Sequence, residues 1–163
     1  MLDAAIISEA EKLLDICRSK ELRLATAESC TGGLIAGALT AVAGSSDVVD
    51  RGFVTYSNEA KHEMLGVPMV LFDTVGAVSE DVARAMAEGA VGRADADLGV
   101  SVTGIAGPGG GSDGKPVGLV HMAAARAGGT TEHERHVFDG DRDAVRRETV
   151  ISALSMLIRV AQS

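Results

Sequence analysis

Aromatic side chains are nearly missing from this chain: it has no Trp, a single Tyr (Tyr56) and three Phe among 163 residues. The core must therefore be built from Ala, Val, Leu and Ile, with backbones brought close by 20 glycines. Positive charge is scarce as well. Lys and Arg number 15 against 23 Asp and Glu, a formal net charge of −8. That balance argues against a nucleic-acid surface, because neutralising phosphates requires clustered cations. The broken set Arg142, Arg146 and Arg147 is too small for a duplex and sufficient for one phosphate group. Cysteine is limited to Cys17 and Cys30, whose spacing signals neither a disulfide framework nor a zinc site. No apolar run reaches the roughly 18 residues that span a bilayer. Met1-Leu2-Asp3 opens a polar-patterned helix rather than the apolar stretch of a signal peptide. Repeats, linkers and low-complexity tails are absent too. The expectation is one cytoplasmic domain over residues 1–163, with no membrane segment, built around one core.

What is present alternates between two periods. Ile6, Ala10, Leu13, Leu14 and Cys17 fall on one helical face. Residues 22–27 read as a short strand, 28–33 as a turn, and 34–42 as a small-residue helix stopped by Gly44. A strand is expected over 48–56, then a helix capped by Ser57 that Gly66 ends. Residues 67–78 carry no period and read as irregular, and Ser79 caps a further helix to about Arg93. Strands over 96–105, 117–125 and 132–138 follow, the last two joined by a Gly128-Gly129 hairpin, and Asp141 opens a long final helix. Five strands interleaved with helices give a three-layer α/β/α domain. The hairpin demands at least one antiparallel strand, so the sheet is mixed and mainly parallel.

Ser29 sits where a strand breaks into a helix and is followed by Thr31-Gly32-Gly33. Such a position exposes a side chain at a strand's C-terminal end, where open α/β sheets place their ligand crevices. Free N–H groups of the first helical turn suit an oxyanion, so Thr31, Gly32 and Gly33 are candidate donors. A serine needs a base, and Lys61, four residues after the Ser57 cap, is the candidate. A helix N-terminus and burial both disfavour an ammonium there and lower the lysine pKa toward a useful range. Tyr56 precedes the cap and can relay a proton or orient the lysine. Read locally, the same residues also fit plainer roles: Ser29 as a helix cap, Lys61 as a solvated helix residue, and Cys30 as a buried thiol or a rival nucleophile.

The glycine-rich stretch Gly104 to Gly114 ends in Gly114-Lys115 and nearly spells a phosphate loop. Pro116 replaces the magnesium-binding hydroxyl, and a strand follows where the motif needs a helix, so a nucleoside triphosphatase is rejected. The stretch reads either as a surface loop or as a mobile pocket wall, with Thr103 and Gly104 touching ligand. Arg142 and Arg146, four apart, form either a phosphate clamp or a solvated face paired with Asp139, Asp141 and Asp143. His133 and His136 point to opposite faces of a strand and make no metal site, while His62 and His121 have no evident partner.

Five segments in order resemble a known family. They are Ala27-Glu28-Ser29-Cys30-Thr31-Gly32-Gly33, residues 52–61 (GFVTYSNEAK), Val102-Thr103-Gly104-Ile105-Ala106-Gly107-Pro108, Lys115-Pro116-Val117-Gly118 and Gly140-Asp141-Arg142. Together they are similar to the CinA C-terminal domain family, the nicotinamide-nucleotide amidohydrolases, in their stand-alone form. The resemblance implies deamidation of nicotinamide mononucleotide to nicotinate mononucleotide and ammonia. It puts the nucleophile on Ser29 and the lysine on Lys61, with Tyr56 beside it. It also implies no metal or organic cofactor, a small-molecule nucleotide as partner, and a homo-oligomer. Substrate phosphate is expected near Arg142 and the Gly104–Gly107 loop, with Thr103 and Ala106 among the contacts. Three rivals remain at this point: a non-catalytic nucleotide-binding module, an amidase for another small amide, and a DNA-related competence or damage factor, which the acidic balance opposes.

Overall fold

The computed structural model describes residues 2–163. Helix α1 (Ala4–Ser19) is capped by Asp3, whose carboxylate accepts from the Ala5 and Ile6 amides. Strand β1 (Leu24–Glu28) follows, then helix α2 (Leu34–Thr40), strand β2 (Val49–Val54) and helix α3 (Asn58–Leu65). Helices α4 (Met69–Thr74) and α5 (Glu80–Arg93) precede strands β3 (Leu98–Gly104), β4 (Leu119–Arg126) and β5 (Thr131–Val137), and helix α6 (Arg142–Gln162) closes the chain. The strand order is β2-β1-β3-β4-β5. Strands β2 and β3 run parallel to β1, β4 runs antiparallel to β3, and β5 antiparallel to β4. Only β4 therefore opposes the rest, the mixed and mainly parallel sheet that the hairpin implied.

Both faces of the sheet are covered. On one lie α1, α2 and α6, which bury Leu13, Leu39, Leu154 and Leu157 with Leu24, Val100 and Val102 from the strands. On the other lie α3, α4 and α5, which bury Leu65, Val82 and Met86 against Ala25 and Ala27. The alanines follow from the shortage of aromatics: small side chains on both partners let helix and sheet approach closely.

Two expectations are corrected. The stretch 67–78 is not irregular throughout, because Met69–Thr74 forms a helix after Pro68. It buries none of its residues and has no side-chain cap, so neither periodicity nor an N-cap announced it. The second strand stops at Val54 rather than at residue 56. The Thr55 amide still donates to the Glu28 carbonyl, but the Thr55 and Tyr56 carbonyls turn toward Lys61.

A candidate active site at the end of the first strand

Strand β1 is buried at every residue, so successive side chains alternate between two filled layers. Leu24 faces the α1/α2/α6 layer, and the same parity carries Glu28 to that side. Ala25 and Ala27 face the other layer, and the next residue in that series is Ser29, which meets Lys61 of α3. Cys30 reverts to the first side and packs in the core. One period-two pattern thus separates an acid, a serine and a thiol that are adjacent in sequence.

The Lys61 Nζ lies 3.0 Å from the Ser29 Oγ, 2.9 Å from the Thr55 carbonyl and 3.3 Å from the Tyr56 carbonyl. The side chain is only 2% exposed. Burial holds its pKa below the ordinary lysine value. A neutral amine has two N–H groups and one lone pair. In that form the two carbonyls would take the N–H groups and leave the lone pair for the serine hydroxyl; as an ammonium the same nitrogen would donate to all three oxygens. Ser57 fixes the helix that carries Lys61 by accepting from the Ala60 amide. Cys30 differs in kind: burial pushes its thiol up to about 12, which leaves no thiolate near neutral pH.

Ser29 and Lys61 lie in a cleft of about 310 Å³. Tyr56, Thr103, Gly104, Ala106, Gly107 and Arg142 line it too, so the structure brings these sequence candidates to one place. Arg142 crosses the mouth, donating to the Gly107 carbonyl at 2.8 Å and to the Tyr56 hydroxyl at 3.1 Å. The Thr103 hydroxyl donates to the Ala77 carbonyl, which pins the stretch before α5 to the cleft wall. Ile105, Gly109 and Gly110, from the stretch read as either a surface loop or a pocket wall, line it as well; Asn58, Ala77 and Val78 also line the cleft and were missed, and Asn58, one residue past the Ser57 cap, was the one with a sequence signal.

Three sequence candidates fall elsewhere. Thr31, Gly32 and Gly33 do not line the cleft. The Gly32 amide donates to the Ser29 carbonyl, and the buried Thr31 hydroxyl donates to Glu28 at 2.6 Å. The first free amides of α2 are not open to a ligand either. The Glu28 carboxylate accepts from Ile35 N–H at 2.8 Å and Ala36 N–H at 3.0 Å. Glu28 therefore caps α2 from the strand. The arginine pair is corrected in the same way. Arg142 and Arg146 do not converge, because Arg146 donates to the Cys30 and Thr31 carbonyls behind the turn. Two histidines also gain partners: His62 Nδ1 sits 2.8 Å from the Val67 carbonyl, and His121 Nδ1 sits 2.8 Å from His133 Nε2. Burial holds His121 down to about 4. Among the described residues no group of three or more His, Cys, Asp and Glu is arranged to hold a metal ion. None of their helices is long and apolar enough to cross a membrane.

The sequence model of the CinA C-terminal domain matches residues 7–161. The chain belongs to that family. It is 50% identical over 155 residues to the nicotinamide-nucleotide amidohydrolase PncC of Pseudomonas putida, covering 95% of this chain and 96% of that protein. It is 53% identical over 164 residues to a CinA-like protein of Geobacter sulfurreducens. That match covers 97% of this chain but 39% of the relative, so the chain spans well under half the length of this longer relative. Among solved structures, the competence/damage inducible protein CihA from Agrobacterium tumefaciens superposes with a TM-score of 0.96 at 50% identity, covering 100% of this chain and 99% of that one.

Proposed function

We propose that this member of the CinA C-terminal family hydrolyses the carboxamide of nicotinamide mononucleotide, releasing ammonia and nicotinate mononucleotide. The observation that carries the reading is the buried Lys61 amine 3.0 Å from the Ser29 hydroxyl on the floor of a cleft. The Pseudomonas putida relative, a nicotinamide-nucleotide amidohydrolase by name and matched over nearly its whole length, supports the substrate class.

In this reading neutral Lys61 takes the Ser29 proton as the serine oxygen bonds to the carboxamide carbon. The oxyanion falls to the Cys30 amide, which replaces the Gly32-Gly33 amides expected from sequence. The Lys61 ammonium returns its proton to the departing nitrogen, and ammonia leaves as the C–N bond breaks. Water, deprotonated by the same amine, then opens the acyl-serine ester and restores both groups. Arg142 and the Tyr56 hydroxyl stand at the cleft mouth, where the ribose phosphate would lie. The partner is thus a small nucleotide and not a nucleic acid. Assembly with further copies of the chain is part of the same proposal and is read from its mass in solution.

The test is ammonia release from nicotinamide, its riboside and its mononucleotide. The mononucleotide should be turned over fastest, and Ser29→Ala should lose about a thousandfold or more of that rate while remaining folded. Cys30→Ala should keep the wild-type rate within about twofold. Unchanged turnover in Ser29→Ala would refute the nucleophile, and a dead Cys30→Ala beside an active Ser29→Ala would transfer the role to the thiol.

A further inference from the structure

Arg146 is a half-buried cation whose hydrogen-bond acceptors are both main-chain oxygens of the nucleophile turn. Its Nε donates to the Cys30 carbonyl and its Nη2 to the Thr31 carbonyl, each at 3.2 Å. Among the described residues it forms no ion pair with a carboxylate. Arg147, its neighbour, binds Asp3 and Glu148. Nor does Arg146 line the catalytic cleft. It borders a separate cavity of about 150 Å³ lined by Leu2, Ile6, Leu34, Asp143, Arg147 and Val150. Its hydrogen-bonded partners are thus the peptide backbone immediately after Ser29.

We infer that Arg146 is a positioning residue that orients and polarises the oxyanion-binding amide of Cys30 through a relay of peptides. The inference rests on the Ser29 reading above. The Cys30 amide has no acceptor outside its own residue among the described residues. Cys30 lines the cleft while its thiol packs in the core, so its main chain forms that part of the wall. A planar peptide fixes its N–H opposite its C=O, so a donor placed on the oxygen sets the direction of the N–H. A hydrogen bond to the oxygen also polarises the group and strengthens its N–H as a donor.

Arg146 holds the Cys30 carbonyl, which fixes the peptide joining Cys30 to the buried Thr31. The relay itself starts one peptide later. Arg146 binds the Thr31 carbonyl, where the Leu34 amide also donates at 3.1 Å. The peptide partner of that carbonyl is the Gly32 amide, which donates to the Ser29 carbonyl at 3.0 Å. The Ser29 carbonyl in turn belongs to the peptide of the Cys30 amide. The relay thus starts on the guanidinium and ends on the Cys30 amide at the cleft wall. Lysine cannot reproduce this fully, because only a planar fork donates in parallel to two successive carbonyls.

The experiment measures Arg146→Met and Arg146→Lys beside Ser29→Ala, using ammonia release from nicotinamide mononucleotide and amide proton shifts of isotope-labelled protein. Arg146→Met should lose about 10- to 100-fold in kcat, as for the loss of an oxyanion donor, with KM within about threefold. Arg146→Lys should recover part of that loss. In both variants the Cys30 amide proton should move upfield. If Arg146→Met does not fold, Arg146→Lys carries the same reading of kcat, KM and shifts. A kcat within about twofold of wild type, a loss confined to KM, or an unmoved Cys30 amide proton would overturn the inference. If Ser29→Ala is inactive and these results appear, only the role of Arg146 falls. If Ser29→Ala is active, both readings fall together.

Discussion

Two glycine-rich segments border the cleft, and they are held in opposite ways. After β1, residues 29–31 are all buried, and the turn is fastened from inside by two side chains, Glu28 beneath it and Arg146 behind it. After β3, residues 108–114 are all exposed, and the loop around them is held by few side-chain contacts, chiefly Arg142 on the Gly107 carbonyl. Composition alone does not tell a fixed turn from an open loop. Glycine permits the backbone conformation in both; buried polar partners decide whether that conformation is fixed.

The sharpest way to break this contrast is to unfasten the first segment. Glu28→Ala leaves the Thr31 hydroxyl and the Ile35 and Ala36 amides without their acceptor. At about 1–3 kcal/mol for each stranded buried donor, the loss should exceed about 3 kcal/mol in urea unfolding, and Glu28→Gln should lose less. A matched pair of substitutions comes next. Gly33 has a φ of +104°, a conformation that a side chain resists, whereas an added Cβ at Gly109 meets nothing within 4 Å. Gly33→Ala should cost about 1–2 kcal/mol, and Gly109→Ala should stay within about 0.5 kcal/mol of wild type. Equal effects at the two positions would erase the distinction between the segments.

Much of this was legible in the residues. The period of β1, the Ser57 cap and the Gly128-Gly129 hairpin were enough for the three-layer architecture, whereas the local pattern left the pairing of Lys61 with Ser29 open and the family resemblance supplied it. What escaped depends on contacts between distant segments. Glu28 and Ile35 are seven residues apart, and Arg146 lies 116 residues from Cys30, so no local pattern marks either bond. Thr31, Gly32 and Gly33 were expected to offer open amides because a helix start normally has them. The strand's own acid had already occupied the amides of α2. Helix α4 escaped for the opposite reason: it is short and only half-buries Leu71 and Phe72, so no hydrophobic period records it.

The central claim is that the amine of Lys61 is uncharged where it meets Ser29. Burial lowers its pKa, so the folded protein binds fewer protons than the unfolded chain between that lowered value and the ordinary lysine value near 10.5. In that window stability rises with pH, and kcat/KM should rise through the same lowered midpoint as the base becomes free. The decisive measurement is an NMR titration of the Lys61 ε-ammonium set against the acid limb of kcat/KM for ammonia release. The two midpoints should coincide, well below 10.5. A Lys61 that titrates at or above 10.5 while turnover proceeds at neutral pH would contradict a lysine base at this site.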